Sequence, residues 1–233
     1  MKRSFLLTLL ILSCLAAFAQ INTTRRKFAD TEPMILRYRA LCQQAYAKGD
    51  SKLASTYYDS ITNCITHSYV DNYIFETIDK KKFDVGKTHK PIFLTVSASW
   101  CEPCMAEIPA LNKVVNEYSD KVDFLVLFWD TKKDLPRLAK RYNQKIFLIP
   151  SKTNTTDDMH TIDIAGFRNI NGYPDVFLIN ENREIMGFKT GAAVPMSYTN
   201  EKGKKITVTS KDAFNMNYKR LKDEVKMLLS KHI

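Results

Sequence analysis

The apolar positions change their period along the chain. From about residue 31 to 73 they recur at helical spacing, first as Tyr38, Leu41, Cys42, Ala45 and Tyr46, then as Leu53, Tyr57, Ile61, Cys64 and Ile65. Between the two sets stands Lys48-Gly49-Asp50-Ser51, a helix stop followed by a cap, so the pattern predicts a helical hairpin. From about residue 74 compact apolar runs take over. Residues 91–96 and 122–129 are continuous enough to be strands buried on both faces. Between them Met105, Ile108, Leu111, Val114, Val115 and Tyr118 mark a helix, and a second helix is expected over 135–142. Residues 146–149 read as a short strand and the polar 153–158 as a loop. Strands at 176–179 and 184–188 are joined by Asn180-Glu181-Asn182-Arg183, a hairpin turn. Phe214, Tyr218, Leu221, Val225 and Leu228 form the stripe of a last amphipathic helix, with Ser210 as its expected cap. Strand, helix, strand, helix, hairpin and helix make an α/β plan around a mixed sheet.

The first residues stand outside this plan. Lys2 and Arg3 precede an apolar run from Phe5 to Leu15, and Ala17-Phe18-Ala19 puts small residues at the two positions a signal peptidase reads. Cleavage after Ala19 is expected, because the run is shorter than the ~20 residues that span a bilayer. Ile11-Leu12-Ser13-Cys14 offers a rival, a lipoprotein box that would leave a lipid on Cys14, and an uncleaved anchor is a third reading. The chain is thus expected to be exported, to the periplasm and soluble after cleavage. It divides into a signal peptide at 1–19, a helical segment at 20–73 and an α/β domain at 74–233. Of its 233 residues 45% are hydrophobic and 26% charged, ample for a core. The net charge of +10 falls by two when Lys2 and Arg3 leave. The lysines are scattered, with short knots at 80–82 and 202–205 and no basic stripe interleaved with aromatics, so nucleic acid is not an expected partner.

Export changes how the cysteines read. Cys42, Cys64, Cys101 and Cys104 remain, and outside the cytosol such thiols are paired or deliberately reactive. Two of them lie in SWCEPCMAEIP, residues 99–109. At the start of a helix, Cys101 meets unpaired N–H groups and the positive end of the helix dipole, which stabilise a thiolate. Cys104 lies on the same side of the first turn, close enough to close a ring. Cys101 is therefore the expected exposed nucleophile, and Cys104 the thiol that resolves its mixed disulfide. A zinc half-site needs two more ligands, and His67, His89, His160 and His232 show no suitable spacing, so neither metal nor other cofactor is expected. An inert staple is the other alternative. A C-x-x-C between a buried strand and its helix instead reads as a thioredoxin-like redox motif.

Trp100-Cys101-Glu102-Pro103-Cys104 with Glu107 and Pro109 matches W-C-x-P-C-x-x-E-x-P, and the chain resembles the TlpA/ResA branch of thioredoxin-like proteins, exported thiol–disulfide oxidoreductases. Gly172-Tyr173-Pro174-Asp175-Val176-Phe177-Leu178-Ile179 resembles that family's G-x-P-T-x-F-L-I segment. Over roughly 74–230 the resemblance implies a thioredoxin-like fold, a central mixed sheet flanked by helices, here preceded by the helical hairpin. It implies Cys101 as nucleophile, Cys104 as resolving thiol, Trp100 packed beside the pair and Glu107 as the acid that handles protons. Spacing alone also sets Glu107 beside Cys104 on a helix. Pro109 is expected to kink that helix. Pro174 is implied to be cis and to face the cysteines, turning the backbone of Tyr173 toward an extended substrate strand, with Tyr173 as a candidate gate. Two positions depart from the pattern: Asp175 stands where the family has threonine, and Thr95 where thioredoxin carries a buried acid.

Direction is read from Glu102, which with Pro103 separates the cysteines. A carboxylate ~5 Å from the Cys101 thiolate opposes the helix dipole by about 1.5–3 kcal/mol, less when solvated. This disfavours the reduced form and lowers the potential, so a reductant of protein disulfides is expected, kept reduced by a membrane-bound electron donor. The resemblance adds cytochrome c maturation as a setting. A disulfide oxidase or isomerase, and a non-catalytic peptide-binding module, remain the alternatives. For Cys42 and Cys64 both buried free thiols and a disulfide are open readings, and the free thiols are favoured because a hairpin turning near residue 50 sets Cys42 opposite residue 57 or 58, about 9 Å short of Cys64.

Overall fold

A computed structural model describes residues 25–152, 161–200 and 202–230; the expected leader 1–19 with Cys14, and the loop 153–158, lie outside them. In chain order a 3-10 turn (Ala29–Thr31) leads into α1 (Glu32–Ala47) and α2 (Ser51–Ile65), then β1 (Ile74–Glu76), β2 (Lys82–Asp84) and β3 (Ile92–Ser97). Helix α3 (Glu102–Tyr118), β4 (Asp123–Thr131), α4 (Pro136–Ala139) and β5 (Phe147–Ser151) follow. The remainder is β6 (Ile162–Ile164), β7 (Phe167–Asn169), β8 (Asp175–Ile179), β9 (Ile185–Thr190), β10 (Met196–Thr199), β11 (Lys205–Val208) and α5 (Ser210–Leu229).

The central sheet has the order β5-β4-β3-β8-β9. Its continuous apolar runs are explained by burial on both faces, because alternate residues enter two different cores. Ile92, Leu94, Val96, Leu125, Leu127, Phe177 and Ile179 face one side. Phe93, Phe124, Val126, Phe128, Val176 and Leu178 face the other, against α3 and α5. Each such side chain contributes about 1.5–3 kcal/mol on burial. Strand β3 runs parallel to β4 and antiparallel to β8. That reversal sets Asp175, the first residue of β8, opposite Val96 near the end of β3. The loop before β8 is therefore brought to the place where α3 begins.

The helical hairpin forms, with the Asp50 side chain accepting from the Leu53 amide at the start of α2. Ile35 of α1 and Ile61, Cys64 and Ile65 of α2 enter the same core as Phe177 and Phe188 of the sheet. The hairpin thus shields one face of the sheet. Cys42 and Cys64 are both free thiols, the reading that the hairpin register favours. Cys42 Sγ donates to the Ala54 carbonyl at 3.4 Å.

Three details differ from the sequence expectation. The helix over 135–142 shrinks to one turn, because past Ala139 the amides of Arg141 and Tyr142 bond back only three residues, to Leu138 and Ala139. The cap of α5 is Thr209, not Ser210: its side chain accepts from the Asp212 amide, and Asp212 accepts in return from the Thr209 amide. The pairs β1–β2, β6–β7 and β10–β11 were not expected, since strands of three or four residues are too short to show a period.

Candidate active site

Cys101 is the N-cap of α3, and Glu102 and Pro103 open the helix, where the missing N–H of proline removes only a donor that had no partner. The Cys104 amide donates to Cys101 Sγ at 3.2 Å. The two cysteines form a disulfide with Cα atoms 5.3 Å apart. Just upstream, the amide of Ser99 donates to Asp130 Oδ2 at 2.7 Å and its hydroxyl to Asp130 Oδ1. A buried carboxylate at the end of β4 thus pins the turn that delivers Trp100 and Cys101.

The pair is more enclosed than expected. Cys101 is only 4% exposed, not an open nucleophile, because Met105, Trp129 and Tyr173 pack over the two sulfurs together with Ala98. Trp100 projects outward at 42% exposure. Its ring lies edge-on to Tyr173 at 5.5 Å and to Trp129 at 6.0 Å, two residues that pack against the pair. The Tyr173–Pro174 peptide is cis. Gly172, at φ 106°, supplies the left-handed residue before it. Asn169 holds this loop by donating to the Gly172 carbonyl at 3.1 Å and to Asp175 Oδ2 at 3.0 Å. Glu102 is exposed, so solvent screens its charge and its push on Cys101 lies at the weak end of the Coulomb range.

Glu107 is 3% exposed, on the inner face of α3. It shares with Cys104, Pro174, Thr95, Ser97 and Tyr142 a cavity of about 10 Å³, near the room one water needs. Burial pushes its carboxyl up to about 7; Arg220 of α5 opposes this and Glu224 reinforces it. Helix α3 continues through Pro109, whose missing N–H leaves the Met105 carbonyl without its helical donor. Arg141 supplies one instead, donating from Nη2 at 3.3 Å.

All of the expected site residues gather at this end of the sheet: Cys101, Cys104 and Glu107 on α3, Trp100, Glu102 and Pro103 at its start, Tyr173 and Pro174 in the facing loop. Arg220, Glu224, Trp129, Asp130 and Asn169 were not anticipated. For two of them a signal existed: Arg220 and Glu224 are an i,i+4 ion pair set into the apolar stripe of Leu221 and Val225.

A cysteine pair heading the helix after a central strand, opposite a cis-proline loop, is the arrangement of a thioredoxin-like protein. The Redoxin family profile matches residues 70–216, more than half of the chain, and the chain belongs to that family. It is 25% identical over 123 residues to the thiol-disulfide oxidoreductase ResA of Halalkalibacterium halodurans, covering 52% of this chain and 65% of that protein. To the thioredoxin-like protein YneN of Bacillus subtilis it is 24% identical over 106 residues, 44% of this chain and 57% of that one. The match therefore spans less than two thirds of either relative. Among solved structures, a secreted disulfide oxidoreductase of Mycobacterium tuberculosis aligns with a TM-score of 0.46 and 16% identity, over 66% of this chain and 95% of that one.

Proposed function

We propose that this chain is an exported thiol–disulfide oxidoreductase that reduces protein disulfides through Cys101 and Cys104. The observation that carries the reading is the disulfide at the N-terminus of α3 with the Tyr173–Pro174 loop beside it and a buried carboxyl, Glu107, behind it. In the reduced protein the Cys101 thiolate attacks a substrate disulfide, and one substrate sulfur leaves as a thiolate. Cys104 then gives its proton to the Glu107 carboxylate and attacks Cys101 Sγ. The Cys101–substrate bond breaks, the second substrate sulfur leaves, and two electrons have passed to the substrate. Tyr173, half-buried over the sulfurs, moves aside for the substrate strand, and the backbone of that loop pairs with it. A membrane-bound donor restores the dithiol. The resemblance to ResA-type proteins makes the cysteines of an apocytochrome c the substrate to try first.

The test is the reduction potential of the pair in defined thiol buffers, followed by tryptophan fluorescence. A value near or below about −250 mV marks a reductant, whereas about −120 to −180 mV marks an oxidase or isomerase and overturns the direction proposed. Cys104→Ser is expected to accumulate a mixed disulfide with the substrate. Cys101→Ser abolishes exchange; if exchange persists in it, the reading of the pair is wrong.

A further inference from the structure

The acid behind the cysteines is not held alone. Arg220 of α5 forks between two carboxyl groups: Nη2 donates to Glu107 Oε1, and Nη1 donates to Glu224 Oε1 at 2.9 Å. Both carboxyls are buried, at 3% and 5% exposure. With both ionised, the cluster would carry one uncompensated negative charge inside the protein, so it favours holding one proton between the two acids. Other groups face it from each neighbouring element. Tyr142, after α4, approaches Glu107, with Arg141 and Asp130 beside it in turn. Lys189 of β9 and Asp223 of α5 act on Glu224. On α3 itself, Cys104 lines the same small cavity as Glu107.

We propose that Arg220 and Glu224 are a positioning pair, which aims the Glu107 carboxyl at Cys104 and sets the balance between its proton-accepting and proton-donating forms. This rests on the function proposed above. Arg220 favours the carboxylate, the form that takes the proton of Cys104 as its sulfur bonds to Cys101. Glu224 favours the carboxylic acid, the form that returns a proton when a donor thiol reopens the disulfide and Cys104 departs. Neither residue touches the sulfurs. Each acts through Glu107, and in opposite senses.

The opposition supplies the test. In the oxidised protein, carrying ¹³C-labelled glutamate, the carboxyl resonance of Glu107 is assigned by its loss in Glu107→Gln and titrated with pH. Glu224→Gln is expected to weaken proton binding at Glu107 about tenfold, a downward move of about one pH unit, and Arg220→Met to strengthen it by as much. Arg220→Lys, which keeps the charge, is expected to restore most of the wild-type position, and Arg220→Gln takes the place of Arg220→Met if that variant does not fold. In parallel, the rate of disulfide reduction by a phosphine, divided by that of a small disulfide at each pH, is expected to show an inflection that follows the carboxyl midpoint in every variant. Midpoints that stay put in Glu224→Gln and in the charge-removing Arg220 variant, or that move the same way in both, overturn the pair while leaving the proposed function intact. Midpoints that move without the reduction profile overturn its link to Cys104. A wild-type protein that exchanges with no disulfide at all would instead sink the proposed function, and this proposal with it.

Discussion

Asp175 follows the cis-proline where the related pattern carries threonine, and it is buried. Burial pushes its carboxyl up to about 8, against the hydrogen bond from Asn169 and the charge of Arg39. The folded protein thus holds this proton more tightly than the unfolded chain, whose carboxyl titrates near 3.8. Stability from the protonated form is fully present below about 4 and is lost as pH rises through about 8. Glu107, raised to about 7, works in the same direction. The unfolding midpoint in urea is therefore expected to fall as pH rises from 5 to 8.5, and Asp175→Asn to flatten much of that slope. An unchanged slope in the variant would remove Asp175 from the account. At this scale spacing made the cysteines and Glu107 legible, and the resemblance did the same for Pro174. It left out Arg220, because its partner lies 113 positions away and no local pattern joins the two. Cys101 was misjudged in exposure for a similar reason: its cover, Trp129 and Tyr173, comes from β4 and the loop before β8.

Among the elements that carry no cysteine of the pair, α5 reaches the acid directly. Its stripe of Leu221, Val225 and Leu228 packs against the core that α3 also fills, and its Arg220 reaches the acid. One turn before Arg220, the Asn217 side chain accepts from the Ala193 amide at 2.8 Å and donates to the Ala193 carbonyl at 2.9 Å. The helix is thereby tied to the segment between β9 and β10. Its start depends on Thr209, so Thr209→Ala is expected to lower stability by about 1 kcal/mol, measured by urea unfolding, without altering the potential of the cysteine pair. A loss below about 0.5 kcal/mol would mean that packing alone sets where the helix begins. Long elements with a clear period were legible to within a few residues, as α2, α3 and α5 show. The short strand pairs were not, because hydrogen bonding to a neighbour defines them and periodicity does not.

In the whole molecule the sheet has two covers. One is α3 with α5; the other is built largely from the chain before residue 74 and from the β6–β7 hairpin. Phe28, at the start of the described chain, stacks on Phe167 at 5.2 Å and meets Phe177 edge-on at 5.4 Å. We propose that the boundary near residue 74 separates a helical segment from an α/β segment but not two folding units. A chain beginning at residue 74 is expected to bind a hydrophobic dye and lose its dispersed amide spectrum, because Leu94, Leu127 and Phe177 lose part of their cover. A folded, fully active 74–233 fragment would show the segment to be dispensable. The amphipathic stripes announced that the hairpin had an apolar side, yet a stripe does not name the surface it will meet.

The order of the elements along the chain also gives the site a history. Cys101, Cys104 and Glu107 leave the ribosome more than a hundred residues before Arg220, their acid's counter-charge. Until that last helix docks, the nascent chain has its two thiols but neither the buried carboxyl nor the wall behind it. While the chain is being made the two thiols have no carboxyl packed behind them, and Glu107 takes that place only when the fold closes.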